Sequence, residues 1–443
     1  MYRACNIALY AGVLSLVLFG TFALVQAGTG DRIPGQYIVV FKDSVQDADA
    51  LEAELIVRIH GERMDSYRHV LQGFSARFSD AGFSQVVNDP RVAFVSEDHV
   101  VGISDTVRTN VRSERDTRPA DPREDVSSTP ELEAVSQGVQ SFPTGINRIG
   151  AAGKTNVGAG VNVAVIDTGI LGTHPDLMGQ VVGGKNCTKA SGGYTDQNGH
   201  GTHVSGTIAG LNNKVGVVGV SPGVKLWSVR VLDRFGGGTW SSVICGLDFV
   251  ASMAPSKNGP IQVANLSLGG TGISDNNCGN SNNDALHKAI CRVRDAGVTI
   301  IVAAGNSGTN AANFIPAAYN DAVITVSALA DYNGKSGGGG GASSYGIDDS
   351  FASFSNYGSP VDIGAPGVNI YSTWLNNSYA TLSGTSMAAP HVAGAAALYL
   401  STNPGASWTT VRNALLSIGE PLGFGHTDPS LKHPEPVLKV DSL

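Results

Sequence analysis

The chain has little charge for its length and few aromatic side chains. Charged residues make up 15% and aromatic residues 7% of its 443 residues, whereas hydrophobic residues make up 42%. This balance allows a large core and argues against a mostly disordered chain. Acidic residues outnumber basic ones by 37 to 29, which gives a net charge of −8, and no dense basic run offsets it. Nucleic acid is therefore not expected as a partner.

Cysteine is also scarce, and its spacing argues against two common kinds of site. The five cysteines form no Cys-x-x-Cys pair, which disfavours a zinc ribbon or a thioredoxin-like centre. Cys5 precedes an apolar N-terminal run and would be removed with it, so four cysteines remain for an oxidising compartment. Cys278 and Cys291 enclose a short loop and are the favoured bridge. Cys187 and Cys245 are either a second bridge or two buried thiols.

Residues 1–27 have the form of an export signal. Arg3 gives a positive start, Ile7 to Val25 is apolar or small, and Val25 to Ala27 offers the small residues of a cleavage site. The run approaches the length of a membrane span, so an uncleaved anchor is the alternative. We favour cleavage, which predicts a secreted protein with no membrane attachment.

Beyond the signal, the chain divides into a small unit, a linker and a large domain. Residues 28–104 alternate strand and helix patterns, which predicts a small ferredoxin-like α+β domain. Its predicted elements are the strands Tyr37–Lys42, Gly73–Ser79 and Val92–Asp98 and the helix Asp47–Gly61. Residues 105–136 are charged and proline-bearing, as in an exposed linker.

Residues 137–443 are predicted to form an α/β domain with three layers, a parallel sheet between two layers of helices. Its predicted strands are Val161–Asp167, Val224–Leu232, Ile261–Leu268 and Val298–Ala304, and its helices include Ser241–Ala251, Asp284–Ala296 and Met387–Leu400. Functional residues of such sheets lie at the carboxyl ends of strands, where Asp167 and Asn306 stand. The segment Ser336–Gly346 is interpreted as a flexible surface insertion, since it lacks the Lys-Ser/Thr of a phosphate loop.

Three short stretches carry residues suited to nucleophilic catalysis. VAVIDTG ends a strand at Asp167, while NGHGTHVSG and SGTSMAAPH place His200 and Ser386 at glycine-flanked helix starts. A serine hydroxyl is a poor nucleophile until an imidazole takes its proton. A carboxylate then fixes the tautomer of that imidazole and stabilises its charged form.

These motifs resemble those of the subtilisin-like serine proteases, near the subtilisin and proteinase K branches. The order Asp, His, Ser is the one known for subtilisin, and the resemblance runs from about Gln140 to Ile418. It implies a secreted serine endopeptidase of the three-layer fold. Ser386 would be the nucleophile, His200 the general base and then acid, and Asp167 the residue that orients His200.

Other interpretations of the same residues are less well supported. His200 and His203 lack the glutamate of the H-E-x-x-H zinc motif, and we interpret His203 and His391 as structural. An α/β-hydrolase would need an acid and then a histidine after its serine, which leaves only Asp428 and His433 in a proline-containing tail. A catalytically silent binding or scaffold homologue is disfavoured because every member of the triad is present.

The resemblance also assigns residues around the triad. Asn306 and the backbone N–H of Ser386 would donate to the oxyanion. Two segments would flank an extended protein or peptide substrate: Gly236, Gly237 and Gly238, and Ser267, Leu268 and Gly269. Trp240 would stand at the rim of a distant subsite or in the core. No acidic residue is identifiable at the base of the specificity pocket, so an apolar or aromatic preference is expected.

The resemblance further implies a structural calcium ion and an inhibitory propeptide. The calcium ligands would be the side chains of Gln140, Asp176 and Asn213 and the backbone carbonyls of Leu211, Val215 and Val217, with an ordinary Asn-rich turn as the alternative. Residues 28–104 would inhibit the same chain, with their C-terminal end in the active-site cleft. The mature chain would begin somewhere after about Val101, and the enzyme is expected to be a monomer.

Overall fold

The computed structural model describes residues 32–103 and 140–443. The predicted signal (1–27) and linker (105–136) lie outside the described residues. Within the described ranges, no helix combines the length and the apolar character needed to cross a membrane.

The N-terminal domain is a four-stranded antiparallel sheet with two helices. Its elements are β1 (Arg32–Phe41), α1 (Ala48–Arg58), β2 (Glu62–Tyr67), β3 (Gly73–Arg77), α2 (Asp80–Val87) and β4 (Val92–Gly102). The strand order β2-β3-β1-β4 is that of a ferredoxin-like fold, as predicted. Asp47 caps α1 by accepting a hydrogen bond from the N–H of Ala50.

Both faces of this small sheet are covered, which explains the continuous apolar run in β1. Tyr37, Val39 and Phe41 point into the core of the N-terminal domain. Ile38 and Val40 lie in a second cluster, which they share with helices of the large domain. Because side chains alternate along a strand, one face of the sheet packs on its own helices and the other on the large domain.

The large domain has a parallel sheet with helices on both sides. Its strands are β5 (Asn162–Asp167), β6 (Val181–Asn186), β7 (Lys225–Arg230), β8 (Gly237–Thr239), β9 (Ile261–Leu266), β10 (Gly270–Thr271), β11 (Thr299–Ala303), β12 (Phe314–Ile315), β13 (Ile324–Ala330), β14 (Ala342–Ser343), β15 (Gly346–Ile347), β16 (Ser350–Phe351), β17 (Ile363–Pro366), β18 (Ile370–Thr373) and β19 (Tyr379–Leu382). Its helices are α3 (Thr144–Arg148), α4 (His200–Ala209), α5 (Trp240–Ser252), α6 (Ala285–Asp295), α7 (Thr385–Thr402) and α8 (Trp408–Ile418).

The strand order of the main sheet is β6-β7-β5-β9-β11-β13-β17, all parallel, and the short β16 runs antiparallel to the end of β13. Val163 and Val165 of β5 face a core that includes α4, α7 and α8. Ala164 and Ile166 face the other core, which includes α5 and α6. The three-layer prediction is therefore confirmed, and it places the carboxyl end of β5 next to the start of α4.

Both cysteine pairs form disulfides, Cys278 with Cys291 and Cys187 with Cys245, so the second pair is a bridge and not two thiols. The segment Ser336–Gly346 lies at the surface, and hydrogen bonds hold its backbone in place. The N–H of Gly338 donates to Asp349 at 2.8 Å, and the N–H of Gly340 donates to Asp348 at 2.7 Å. The segment is thus an anchored loop, and its glycines let the backbone approach buried carboxylates.

Candidate active site

Asp167 and His200 form a short, buried pair. Asp167 is the last residue of β5 and is fully buried. Its Oδ1 and Oδ2 lie 2.7 and 2.9 Å from Nδ1 of His200, and Oδ1 also accepts the N–H of Thr168 at 2.7 Å. Burial raises the pKa of Asp167 above its usual value. The charge and hydrogen bond of His200 and the N–H of Thr168 offset only part of this rise. A carboxylate at Nδ1 fixes the tautomer with the proton on Nδ1, which leaves Nε2 as the basic nitrogen.

A glycine turn and a buried aspartate position His200. Gly199, the residue before α4, has φ of 114°, and a Cβ there would lie 2.5 Å from the Trp374 ring. Only glycine fits both demands. Asp196 holds the turn by accepting the N–H of Gly199 at 3.0 Å and the N–H of Thr202 at 3.0 Å. It also accepts the Thr168 hydroxyl at 2.9 Å, which joins the turn to the loop after β5. The sequence alone does not single out Asp196, because its burial and its hydrogen bonds appear only in the folded chain.

Ser386 is the second residue of α7, which packs against α4. Each of these two helices therefore begins beside a predicted catalytic residue. Ser386 is 1% exposed, and its Oγ donates to the carbonyl of Ser267 at 3.2 Å. Ser267 Oγ in turn donates to the carbonyl of Ser386 at 2.9 Å. The N–H of a second helical residue has no intrahelical acceptor, and the helix dipole favours negative charge beside it.

Asn306 is held next to Ser386 through Thr385. Its Oδ1 accepts both the N–H and the hydroxyl of Thr385 at 2.8 Å, and the Thr385 hydroxyl accepts the N–H of Gly305 at 3.0 Å. Since a backbone N–H can only donate, the amide orientation of Asn306 is fixed and Nδ2 is its donor. The role of Thr385 was missed, because a threonine before the serine carries no signal of its own.

The other histidines have partners of a structural kind. His203 Nε2 lies 2.9 Å from the Ile370 carbonyl and 3.1 Å from the Ala380 carbonyl, which ties α4 to the β18–β19 pair. His391 Nδ1 lies 2.9 Å from the Met387 carbonyl, and burial lowers the pKa of His391 to about 4. His433 Nδ1 lies 2.8 Å from Glu435, so the tail histidine of the α/β-hydrolase alternative is engaged within the tail.

The end of the N-terminal domain lies between the two predicted substrate segments. Val101 pairs with Gly238 and Gly102 with Gly237, which makes β8 the fifth strand of the N-terminal sheet. On its other side Gly102 bridges Gly269, whose N–H donates to the Gly102 carbonyl at 3.2 Å. Ile103 N–H donates to Gly236 at 3.1 Å. An extended peptide thus fills the cleft as the middle strand of three.

The N-terminal domain also binds the large domain at a second place, outside the cleft. The carboxylate of Asp248, on α5, accepts the backbone N–H groups of Arg68, His69 and Val70 at 3.0, 2.7 and 2.9 Å. Asp98 of β4 accepts the N–H of Ser241 in the first turn of the same helix at 3.1 Å. Neither acid was singled out from the sequence. Together they fix the sheet on α5.

The residues predicted to bind calcium gather around one amide nitrogen. Nε2 of Gln140 lies 2.6 Å from the carbonyl of Leu211, 3.0 Å from that of Val215 and 3.3 Å from Oδ1 of Asn213. Asp176 is fully buried, and its Oδ1 accepts from Asn213 at 3.1 Å.

Val217 contacts the same aspartate through its backbone. Its N–H, not its carbonyl, bonds to Asp176 Oδ2 at 2.8 Å.

The Trp240 side chain is buried next to the second predicted substrate segment. It is 4% exposed and belongs to the same apolar cluster as Val101. A Cβ at Gly270, beside the second substrate segment, would lie 3.1 Å from its ring. Trp240 therefore packs in the core and also borders the cleft.

A three-layer α/β domain with an Asp–His pair at a strand end, a serine at a helix start and a peptide strand in its cleft defines the class of the serine endopeptidases. Comparison with known proteins makes this specific. Residues 158–427 match the Subtilase family, and residues 36–104 match the family named Peptidase inhibitor I9. The chain belongs to the subtilase family and is a subtilisin-like serine endopeptidase that carries an I9 propeptide domain.

Its relatives include well-known proteases. It is 41% identical over 290 residues to Subtilisin DY of Bacillus licheniformis, an alignment that covers 64% of this chain and 93% of that protein. It is 36% identical over 415 residues to the Extracellular serine proteinase of Thermus sp. (strain Rt41A), covering 88% of this chain and 86% of that protein. The crystal structure of a cold-adapted subtilisin-like serine proteinase has a TM-score of 0.55 and 35% identity, and covers 67% of this chain and 97% of that one.

Proposed function

We propose that this chain is a secreted endopeptidase made as a self-inhibited precursor, with Ser386, His200 and Asp167 as its catalytic triad. The observation that carries the proposal is the buried pair of His200 Nδ1 and Asp167, 2.7 Å apart, on a helix that packs against the one bearing Ser386. The Nδ1-protonated tautomer leaves Nε2 of His200 to accept the serine proton.

The reaction is acyl transfer in two steps. Ser386 Oγ attacks the peptide carbonyl carbon, and its proton passes to Nε2 of His200. The C–N bond of the tetrahedral intermediate then breaks, and the leaving amine takes that proton. Water attacks the resulting ester of Ser386 in the same manner, which releases the carboxylic acid and restores the serine.

Asn306 and the start of α7 would stabilise the oxyanion of both intermediates. The amide orientation that Thr385 fixes leaves Nδ2 of Asn306 as a donor. The second donor is the N–H of Ser386, a free end of the helix hydrogen-bond pattern. Both donors are set before substrate arrives, so no reorganisation is needed as charge develops.

Protein and peptide substrates would bind as β4 does. The pairing of Gly102 with Gly237 and Gly269 supports substrate binding by main-chain hydrogen bonds between two segments. The residues assigned to these segments are Gly236, Gly237 and Gly238, and Ser267, Leu268 and Gly269. Backbone pairing reads an extended chain without requiring one sequence.

Residues 28–104 would be the intramolecular inhibitor, residues 105–136 the linker and residues 137–443 the peptidase domain. The register supports a first cut at the end of the inhibitor. Gly102 faces Gly269, and Ser267, two residues earlier on that segment, accepts the hydroxyl of the nucleophile Ser386. Counting the same two residues forward from Gly102 reaches Ser104 in the sequence. We expect the scissile bond to follow Ser104.

Secretion would follow removal of residues 1–27. Two disulfides support an oxidising destination, and one relative is named as extracellular. N-terminal sequencing of the Ser386→Ala precursor would test it, since signal cleavage leaves a chain that begins at Gly28 and an uncleaved anchor retains Met1.

A calcium ion would stabilise the N-terminal edge of the peptidase domain. The residues fit such an ion because Nε2 of Gln140 lies within 3.3 Å of three oxygens. A cation at that position would be bound by the same three oxygens. Gln140, Asp176 and Asn213 would hold it together with the backbone carbonyls of Leu211, Val215 and Val217. A bound cation would link these loops electrostatically. A chelator should lower the melting temperature, and an unchanged melting curve would exclude the site.

The function is tested by expressing the wild type beside Ser386→Ala. Wild-type chain should process its own precursor and cleave casein, whereas the variant should accumulate at full length. Ser383→Ala, three residues earlier on the same segment, is the matched control and should process normally. Equal processing by wild type and Ser386→Ala would show that the triad assignment is wrong.

A further inference from the structure

Strand β9 carries a fully buried polar side chain near its C-terminal end. Asn265 lies between its strand partners Val165 of β5 and Ile301 of β11, both of which belong to the core around α7. Within residues 32–103 and 140–443, the Oδ1 atom of Asn265 has no hydrogen-bond partner. An unpaired buried acceptor destabilises a fold, and such departures from a consistent core are expected at functional sites.

The amide of Asn265 is connected to the nucleophile through one hydroxyl. Its Nδ2 donates to Ser267 Oγ at 2.9 Å, and that hydroxyl donates to the backbone carbonyl of Ser386 at 2.9 Å. A serine hydroxyl has a single proton, so a hydroxyl that donates to the carbonyl must accept from the amide. Asn265 thus directs the proton of Ser267 toward Ser386.

The carbonyl of Ser386 needs this donor because of a proline in the same helix. In an α-helix each carbonyl accepts the N–H of the residue four positions later. For Ser386 that residue is Pro390, which has no N–H and whose ring crowds the carbonyl. Ser386 is 1% exposed, and a buried carbonyl without a donor destabilises the fold. The hydroxyl of Ser267 replaces the missing helix donor.

The same contacts fix the nucleophile relative to the substrate. Ser386 Oγ donates to the carbonyl of Ser267, so two reciprocal hydrogen bonds join these residues. Ser267 begins the second substrate segment, whose Gly269 bridges Gly102 of the inhibitor strand. The distance from Ser386 to a bound peptide carbonyl is therefore set through Ser267. A misplacement of about 1 Å between reacting atoms lowers a rate by about 10²-fold.

We infer that Asn265 is a positioning residue for Ser386 and acts through the hydroxyl of Ser267. The inference rests on the proposed function, in which Ser386 is the nucleophile. Asn265 itself is fully buried in the sheet, away from the cleft surface that binds substrate. Its loss should therefore lower kcat and leave KM nearly unchanged.

The first test compares the mature wild-type enzyme with Asn265→Leu, which removes the amide at similar volume. With active sites counted by an acylating reagent, kcat should fall about 10-fold, as for the loss of one hydrogen bond. An unchanged kcat, or a rise in KM alone, would overturn the inference. A wild type that cleaves neither peptide nor casein would instead overturn the proposed function.

Ser267→Ala removes the same donor and leaves the sheet intact, so it should lower kcat equally. A wild-type kcat in Ser267→Ala would overturn the inference, and this result does not depend on the folding of Asn265→Leu. Because the two residues act in series, the double variant should be no slower than either single one, whereas multiplied losses would overturn the inference. Ser327→Ala is the matched control, since it removes a buried main-sheet hydroxyl that bonds to Glu435 in the C-terminal tail, and it should keep the wild-type kcat.

The second test restores the missing helix donor. Pro390→Ala supplies an N–H to the carbonyl of Ser386, which then no longer depends on Ser267 Oγ. In this background the loss of kcat caused by Asn265→Leu should shrink from about 10-fold to less than about 2-fold, and Ser267→Ala should show the same change. Losses of equal size with Pro390 and with alanine at this position would overturn the inference.

Discussion

Two buried histidines of the large domain each face an aspartate at the same distance, and one of them belongs to the proposed catalytic triad. Nδ1 of His200 lies 2.7 Å from Asp167, and Nε2 of His287 lies 2.7 Å from Asp321. The side chains of His200 and His287 are 1% and 0% exposed. A short His–Asp contact and deep burial are therefore common to both sites, and neither property by itself identifies a catalytic pair.

The surroundings of the two imidazoles differ. His287 has carboxylates at both nitrogens, since Nδ1 lies 3.1 Å from Asp275, and its ring stacks on Tyr319 with 3.9 Å between centroids. Asp321 also accepts the N–H of Cys278, in the loop that the Cys278–Cys291 disulfide closes. His287 thus joins a loop to α6. A catalytic base needs one nitrogen directed at a reacting group, and an imidazole between two carboxylates offers none.

The largest expected difference comes from removing each imidazole. His200→Ala should lower kcat by about 10⁶-fold, a magnitude taken from subtilisin, a relative of this chain. His287→Ala should leave kcat per active site within a few fold. It should instead lower the free energy of unfolding by about 3–5 kcal/mol, because the fully buried ring that stacks on Tyr319 is lost and leaves a cavity.

Two measurements separate these effects. Active sites are counted with an acylating reagent so that unfolded protein does not enter kcat, and unfolding is followed with denaturant. His287→Gln, which keeps a donor toward Asp321, is the milder companion variant. A loss of kcat per active site in both His287 variants comparable to that of His200→Ala would contradict the distinction drawn between the two pairs.

A smaller effect is expected at Asn306, the proposed oxyanion donor next to Ser386. Asn306→Ala should lower kcat by about 10²–10³-fold with little change in KM, the size measured for an oxyanion donor in subtilisin. The reason is that the amide would contact the oxyanion and not the bound substrate. Steady-state kinetics on one peptide measure both constants. A rise in KM at constant kcat would instead assign Asn306 to ground-state binding.

The fold could be predicted from local patterns where burial is two-sided. Strand β5 begins and ends within two residues of its predicted bounds, because a strand buried on both faces is continuously apolar. Helices α5 and α6 also begin and end within two residues of their predicted bounds. Strand β2 was not predicted, since its sequence ERMDSY is polar and its extended form comes from pairing with β3. Tertiary pairing of this kind leaves no periodic signal in the strand itself.

The candidate site likewise contains residues that could be predicted from the sequence and residues that could not. Asp167, His200 and Ser386 stand in glycine-flanked motifs, since the backbone must turn sharply at a strand end or a helix start. Asp196 and Thr385 hold these residues in place, but their partners are 28 and 79 residues away in sequence. Contacts of that separation cannot be inferred from one sequence without a fold.

The smallest predicted effect is a pH dependence of stability that comes from Asp321 of the second pair. Burial raises the pKa of Asp321, but the hydrogen bond and charge of His287 and the N–H of Cys278 together bring it below its usual value of 3.8. A carboxylate with a lowered pKa stabilises the folded state fully above that usual value, and the contribution is lost as pH falls through the folded-state pKa.

The experiment uses the Ser386→Ala background, which prevents self-digestion. There Asp321→Asn should melt roughly 2–4 °C lower at pH 7, which corresponds to a loss of about 1 kcal/mol in the free energy of unfolding. The difference in melting temperature between this variant and its Ser386→Ala parent should narrow below about pH 4, the pKa of an aspartate in the unfolded state. Asp275, whose pKa is also lowered, remains in both proteins, so each keeps some acid sensitivity. A difference in melting temperature that stays constant from pH 7 to pH 2 would mean that Asp321 acts through packing and not through its charge.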